Sequence, residues 1–227
     1  MIFNCFSGII DFVTPQVKKI ATWAIGTIVF LAVLVGVVKL ISSPDTSSSV
    51  KMTPVTKNDI QTGPANAKVT LVEYADFQCP ACDAYNPIVD DIMIAYKGKL
   101  NYVYRFFPLT TIHPNAQIGA QAGWAALQQK KFFEMRDVLY QNQNSWADVS
   151  DPKPTFIQYA QKLGMDENKF KADMTSSAAE KAVADEVTMG NADGVNSTPT
   201  FFINSNLIQN PSTEADFKKL IDAQLAQ

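Results

Sequence analysis

The sequence predicts an α/β domain in which a β-α-β unit and a closing β-hairpin with a final helix are separated by a long helical stretch. Three observations carry this. The apolar, β-branched run Val69–Ala75 passes directly into helical periodicity, with Cys79-Pro80-Ala81-Cys82 at the junction. A second strand-like run, Leu100–Phe107, follows that helix closely, and from His113 to about Asn191 the apolar residues recur at helical spacing. The chain then returns to strand at Thr200-Phe201-Phe202-Ile203. One membrane-spanning helix is expected ahead of the domain.

At 227 residues there is room for one substantial domain plus extras. The net charge of −3 is dispersed, with no basic stripe, so nucleic acid is not an expected partner. Three cysteines are too few for a disulfide scaffold or a four-cysteine zinc site, and no metal site and no cofactor are expected. Cys5 lies far upstream of the other two and reads as a bystander.

Residues 1–19 read as a cytoplasmic segment. Ile20 to Val38 hold no charged residue, flanked by Lys18-Lys19 and Lys39, and a span of that length just crosses a hydrocarbon core of about 30 Å. The anchor is placed at 20–41. A cleaved signal peptide is the alternative; its apolar region is usually shorter, about 7–15 residues, and no convincing small-x-small site follows. No cysteine follows the span either, so it does not read as a lipoprotein signal. The lysines put the N-terminus inside and the remainder outside the cytoplasmic membrane, single-pass. Residues 42–57, dominated by Ser, Thr and Pro, read as a linker, and 58–227 as the globular domain.

Within the domain, Pro80 fits the first helical position, so Cys79 falls at the strand-to-helix junction and Cys82 one turn inside. Unpaired N–H groups at a helix N-terminus favour a thiolate at Cys79, and a second thiol three residues on can attack a mixed disulfide formed by the first. The strand-helix-strand unit should be a right-handed crossover with parallel strands. In the helical stretch, Ala116, Ala120, Gly123 and Leu127 form one small-residue face; Phe132, Phe133, Met135 and Leu139 stripe the next helix; Phe156, Ile157, Ala160 and Leu163 stripe a third that Gly164 stops. Ser177 with Glu180 reads as a capping box. Asn204-Ser205-Asn206 turns, Leu207-Ile208 pairs back, and a last helix from near Thr213 buries Phe217, Leu220, Ile221 and Leu225.

Residues 58 to 227 resemble the thioredoxin-fold superfamily in its DsbA-like branch. The resemblance rests on the continuous stretch Thr62 to Cys82, ending in Asp76-Phe77-Gln78-Cys79-Pro80-Ala81-Cys82, and on Gly194-Val195-Asn196-Ser197-Thr198-Pro199-Thr200-Phe201-Phe202-Ile203-Asn204, where Ser197 stands in place of the more usual glycine. It implies a thioredoxin fold with a helical domain (about 113–191) inserted between the βαβ and ββα halves. It also implies that Pro199 is a cis-proline facing the dithiol, with the Thr198 backbone free to pair with an extended substrate chain. An ordinary trans proline at an edge strand is the bland alternative.

Glu73, six residues before Cys79, stands where thioredoxin-like proteins keep a buried acid. The resemblance makes it a proton acceptor for Cys82; the alternative is a solvated edge position. Pro87 is expected to be structural. The single histidine, His113, reads as a cap or loop residue. Ala81 replaces the histidine of Cys-Pro-His-Cys oxidants, so the Cys79 thiolate should be stabilised, but less than in DsbA itself. The Asn196-Ser197-Thr198 sequon is discounted because it falls in the active-site loop.

The implied activity is disulfide donation: Cys79 as nucleophile, Cys82 as resolving thiol, secreted cysteine-containing proteins as substrates, and a quinone-linked membrane oxidase of the DsbB or vitamin K epoxide reductase type as partner. The same dithiol could serve a reductase or isomerase. A Cu(I) carrier is chemically admissible, but no Met or His lies near the thiols in sequence. A non-catalytic peptide-binding module would use the disulfide only as a staple, for which so small a loop is poor.

Overall fold

The computed structural model describes residues 52–227 together with Trp23, Thr27, Ile28, Val29 and Val33. Apart from those five helical positions, the expected anchor lies outside the described residues, as does Cys5. Among the described residues no helix is long and apolar enough to cross a membrane.

The organising strand is β2 (Val69–Ala75). Its β-branched and aromatic residues suit a pleated surface buried on both sides. It pairs in parallel with β3 (Leu100–Phe106) and antiparallel with β4 (Thr200–Ile203). Two short edge strands complete a five-stranded sheet: β1 (Ile60–Thr62) antiparallel to β3, and β5 (Asn206–Leu207) antiparallel to β4. The parallel pair is bridged by α1 (Pro80–Ala95), as a crossover requires.

Between β3 and β4 lies the helical insert: α2 (Ala116–Leu127), α3 (Phe132–Gln141), a 3₁₀ turn (Gln143–Ser145), α4 (Lys153–Lys162), α5 (Glu167–Met174) and α6 (Ser177–Ala192). The final helix is α7 (Glu214–Leu225). This is a mixed α/β thioredoxin-like architecture with a helical insertion.

The two faces of β2 differ in character. Val69, Leu71 and Ala75 point into a core shared with α1, α7 and the insert, which includes Phe77, Tyr102, Tyr104, Phe106, Phe132, Met135 and Phe201. Val72 and Tyr74 point the other way, to Met52, Val103, Phe107, Val195 and Phe202. That second face carries a buried polar network. Arg105 donates through Nε to Asp59 at 2.7 Å and through Nη1 to the Tyr74 hydroxyl at 2.8 Å. The Tyr74 hydroxyl donates to Asp193, which also accepts from the Thr53 amide and hydroxyl.

Several local expectations are corrected by the structure. Edge strand β1 is not among them at all, because three residues, Ile60-Gln61-Thr62, are too few to show a period. Helix α6 is capped by Ser176, whose hydroxyl accepts from the Ala179 amide, one residue earlier than the Ser177–Glu180 box. The hairpin turn is Asn204-Ser205, both at positive φ, so Asn206 already belongs to β5. On α7, Phe217 and Ile221 are buried but Leu220 is exposed, because their four-residue spacing leaves it on the flank of the stripe.

The small-residue face of α2 does bring that helix close to the sheet. A Cβ at Gly123 would stand 2.7 Å from the Phe77 ring, which is itself held among Tyr104, Phe106, Phe132 and Tyr140. Gly123→Ala is therefore expected to cost about 1–3 kcal/mol despite its better helix propensity, read as a lower denaturant midpoint at unchanged slope.

Candidate active site

The dithiol sits where β2 hands over to α1. Cys79 is the N-cap, in extended conformation and with no capping side chain, and Pro80 takes the first helical position. Its amide donates to the Asp76 carbonyl at 3.1 Å and its carbonyl accepts from the Asp83 amide at 3.2 Å, so the backbone on both sides is held. Both cysteines are free thiols. Cys79 is 7% exposed and Cys82 fully buried, so only Cys79 can meet another molecule.

The two thiols are driven apart electrostatically. The Cys79 thiol is lowered to about 5: the hydrogen bond it receives from Cys82 is the largest cause, opposed by burial and reinforced by the Thr198 side chain and the backbone N–H groups of Cys82 and Ala81. The Cys82 thiol is pushed well up by burial, then by its hydrogen bond to Cys79 and the charge of Glu73. At neutral pH the outer sulfur is a thiolate and the inner one a thiol.

Opposite the dithiol, the Thr198–Pro199 peptide bond is cis. The Thr198 carbonyl oxygen lies 3.4 Å from Cys79 Sγ, and Pro199 is buried at the start of β4. Ser197 keeps negative φ, and its carbonyl accepts from the Thr200 hydroxyl at 2.7 Å, which fixes the loop without a glycine.

Glu73 is 4% exposed, on the central strand rather than at a solvated edge. Its carboxyl accepts from the Tyr102 hydroxyl at 2.5 Å. Burial raises it to about 7, against the lowering effects of Tyr102 and of the Arg136 charge. It acts electrostatically on Cys82 and so belongs to the same site.

A second set of residues, unmarked in the sequence, secures the cysteine loop to the insert. Gln143 Nε2 donates to the carbonyls of Phe77 (2.8 Å) and Cys79 (3.1 Å). Gln78 donates to the Ala147 carbonyl and accepts from the Asn115 amide; the Asn115 side chain in turn donates to the carbonyls of Trp146, Ala147 and Val149. His113 is a loop residue whose Nδ1 lies 2.6 Å from Asp76, and Asp76 also accepts from the amides of Gln78 and Leu109. Isolated Gln and Asn residues carry no periodicity or spacing signal, so only their burial reveals them.

The thioredoxin family model matches residues 55–223, and the chain belongs to that family. Among solved structures it is similar to alpha-DsbA1 of Wolbachia pipientis (TM-score 0.69, 20% identity, 79% of this chain and 96% of that one). It is similar to the same degree to oxidised BdbD of Bacillus subtilis (TM-score 0.70, 17% identity, 78% and 98%). These share the fold. Curated relatives include Na(+)/H(+) antiporter NhaA 3 of Salinispora tropica, 36% identical over 149 residues, and NhaA 1 of Mycobacterium sp. (strain KMS), 31% identical over 188. The matches cover 66% and 81% of this chain but only 22% and 30% of those relatives.

Two outcomes follow from the charges. Thiolate absorbance at about 240 nm in the reduced protein should rise with a midpoint near pH 5 and be lost in Cys79→Ser. Because the folded value of Glu73 lies above its unfolded one, the native state holds the proton longer. Stability should therefore fall as pH rises from about 4.5 to about 7 and stay level beyond. Glu73→Gln should remove that slope and be more stable at pH 8 by about 3 kcal/mol, measured by denaturant titration at pH 5 and pH 8.

Proposed function

We propose that this chain is a thiol-disulfide oxidoreductase that donates the Cys79–Cys82 disulfide to cysteine-containing proteins outside the cytoplasm. The observation that carries the reading is the asymmetry of the pair: an outer sulfur, slightly exposed and stabilised as thiolate, beside a fully buried one held as thiol. A thiolate favoured at Cys79 stabilises the reduced pair, and a stabilised reduced pair makes the disulfide oxidising.

In the donating direction a substrate thiolate attacks Cys79 Sγ. The Cys79–Cys82 bond breaks, and Cys82 leaves with the electron pair and takes a proton, for which Glu73 is the neighbouring donor. A second substrate thiolate then attacks the substrate sulfur of the mixed disulfide, and Cys79 departs as its stable thiolate. The substrate has lost two electrons and the dithiol has gained them; a quinone-linked oxidase of the DsbB or vitamin K epoxide reductase type is the class of partner that would remove them. During exchange the Thr198 backbone is positioned to pair with the extended substrate strand. The reverse sequence, with Glu73 accepting the Cys82 proton, is the reductase or isomerase reading.

The expected location is the cytoplasmic membrane, through a helix at 20–41 with the catalytic domain outside. The uncharged span Ile20 to Val38 and its flanking lysines support this.

Cys82→Ser removes the resolving thiol and is expected to trap substrate proteins on Cys79 as mixed disulfides in the native host; absence of any trapped thiol protein would overturn the reading. The Cys79–Cys82 potential against glutathione is expected between about −120 and −180 mV, and a value near the roughly −270 mV of thioredoxin would reassign the chain as a reductant.

A further inference from the structure

The resemblance to thioredoxin-fold proteins concerns a buried acid near the resolving thiol; it says nothing about what holds that acid charged. In this chain the answer lies in the insert. Glu73 on β2 is linked by its hydrogen bond to the Tyr102 hydroxyl on β3. The Tyr102 ring in turn lies beneath a guanidinium, with Arg136 Cζ 6.0 Å from its centroid and 5.3 Å from that of Phe133. Arg136 is on α3, an inserted helix, and is 2% exposed.

A buried arginine needs partners, and Arg136 has two carboxylates on its outer side but an incomplete set of hydrogen bonds. Nε and Nη2 donate to Asp137, at 2.9 and 2.7 Å, and Nη2 also to Asp90. Nη1 is buried with no hydrogen-bond partner. The two carboxylates are part-exposed on the wall of a cavity of about 580 Å³, whose apolar lining includes Met93, Leu100 and Phe133. Solvent therefore reaches the outer end of the ion cluster, while the inner end faces Tyr102 through a low-dielectric core.

We propose that Arg136, supplied by the helical insert, is a positioning residue for the dithiol chemistry: acting through the Tyr102 hydroxyl, it keeps the buried Glu73 carboxylate charged and oriented to exchange a proton with Cys82. This rests on the oxidoreductase reading above. The groups coupled electrostatically to Glu73 are Tyr102 and Tyr104 from β3, Cys82 and Asp90 from α1, and Arg136 and Tyr140 from α3. Arg136 is the cation among them. Tyr104 and Tyr140 contact each other through their hydroxyls and leave the hydrogen bond to Glu73 to Tyr102. The insert thus contributes to the chemistry as well as covering it.

The test uses the full chain in its reduced form. The Glu73 carboxylate is followed by its infrared stretch between pH 5 and 10, identified by difference against Glu73→Gln. In parallel, the rate at which Cys82 resolves a glutathione mixed disulfide on Cys79 is measured over the same range. Tyr102→Phe and Arg136→Met should each move the carboxylate midpoint up by about one pH unit, reducing the ionised fraction at pH 7 from about a half to about a tenth. The rate at pH 7 should fall about fivefold, with its pH profile displaced upward by the same amount. Arg136→Lys, which keeps the charge, should recover most of the shift. An unchanged midpoint in either Tyr102→Phe or Arg136→Met, or a midpoint that moves down, overturns the proposal, and Arg136→Gln is read in place of Arg136→Met if that variant does not fold. If the unaltered chain resolves no mixed disulfide, the oxidoreductase reading fails, while the infrared midpoint still tests the roles of Tyr102 and Arg136.

Discussion

Burial of β2 on both faces is the constraint from which the rest of this domain follows. A strand with no solvent on either side must find hydrogen bonds along both edges, which β3 and β4 provide, and apolar cover above and below, which α1, α7, the insert and the residue 52–60 segment provide. The same dryness lifts a carboxylic acid at Glu73 into the range where it can give or take a proton near neutrality. Had Glu73 stood on an edge strand, water would have returned it to an ordinary acid. Structural economy and chemical usefulness here have one origin.

The dithiol shows how little sequence is needed to differentiate two identical side chains. Cys79 and Cys82 differ by one helical turn, yet one caps the helix among the N–H groups of its first turn and the other enters the core. Hydrogen bonds at the helix start lower one and burial raises the other, so the pair is sorted by acidity before any reaction. The Gln143, Gln78 and Asn115 bonds keep the turn at that depth. They tie it to the insert through main-chain carbonyls of Phe77, Cys79, Trp146 and Ala147.

Much of this is legible in the chain because the relevant signals are local. The run Val69–Ala75, Pro80 at a helix start and the period of the α2, α3 and α4 stripes each reflect a constraint acting over a few residues. The β-α-β, insert, hairpin, helix order follows from them. What escapes is set by contacts distant in sequence. Edge strand β1 exists because β3 offers it a free edge, not because Ile60-Gln61-Thr62 has strand character. Tyr102 and Arg136 give no sign of belonging together: one sits in an aromatic-rich strand, the other beside an apolar stripe, and only the packing of α3 on the sheet joins them. Arg105, the one charged residue of β3, is the visible hint of a polar network on the second face. The cap of α6 falls one residue from its expected place because Ser176 and Ser177 are chemically equal and only the turn of the chain chooses between them.

The network around Arg105 has a consequence of another kind. Asp59 and the Thr53 carbonyl accept from the arginine, while the Thr53 amide and hydroxyl hold Asp193, so the segment entering the domain is clamped to the side of the sheet remote from the sulfur atoms. Any pull on that segment is delivered to β3 and the end of α6, away from the turn that carries Cys79.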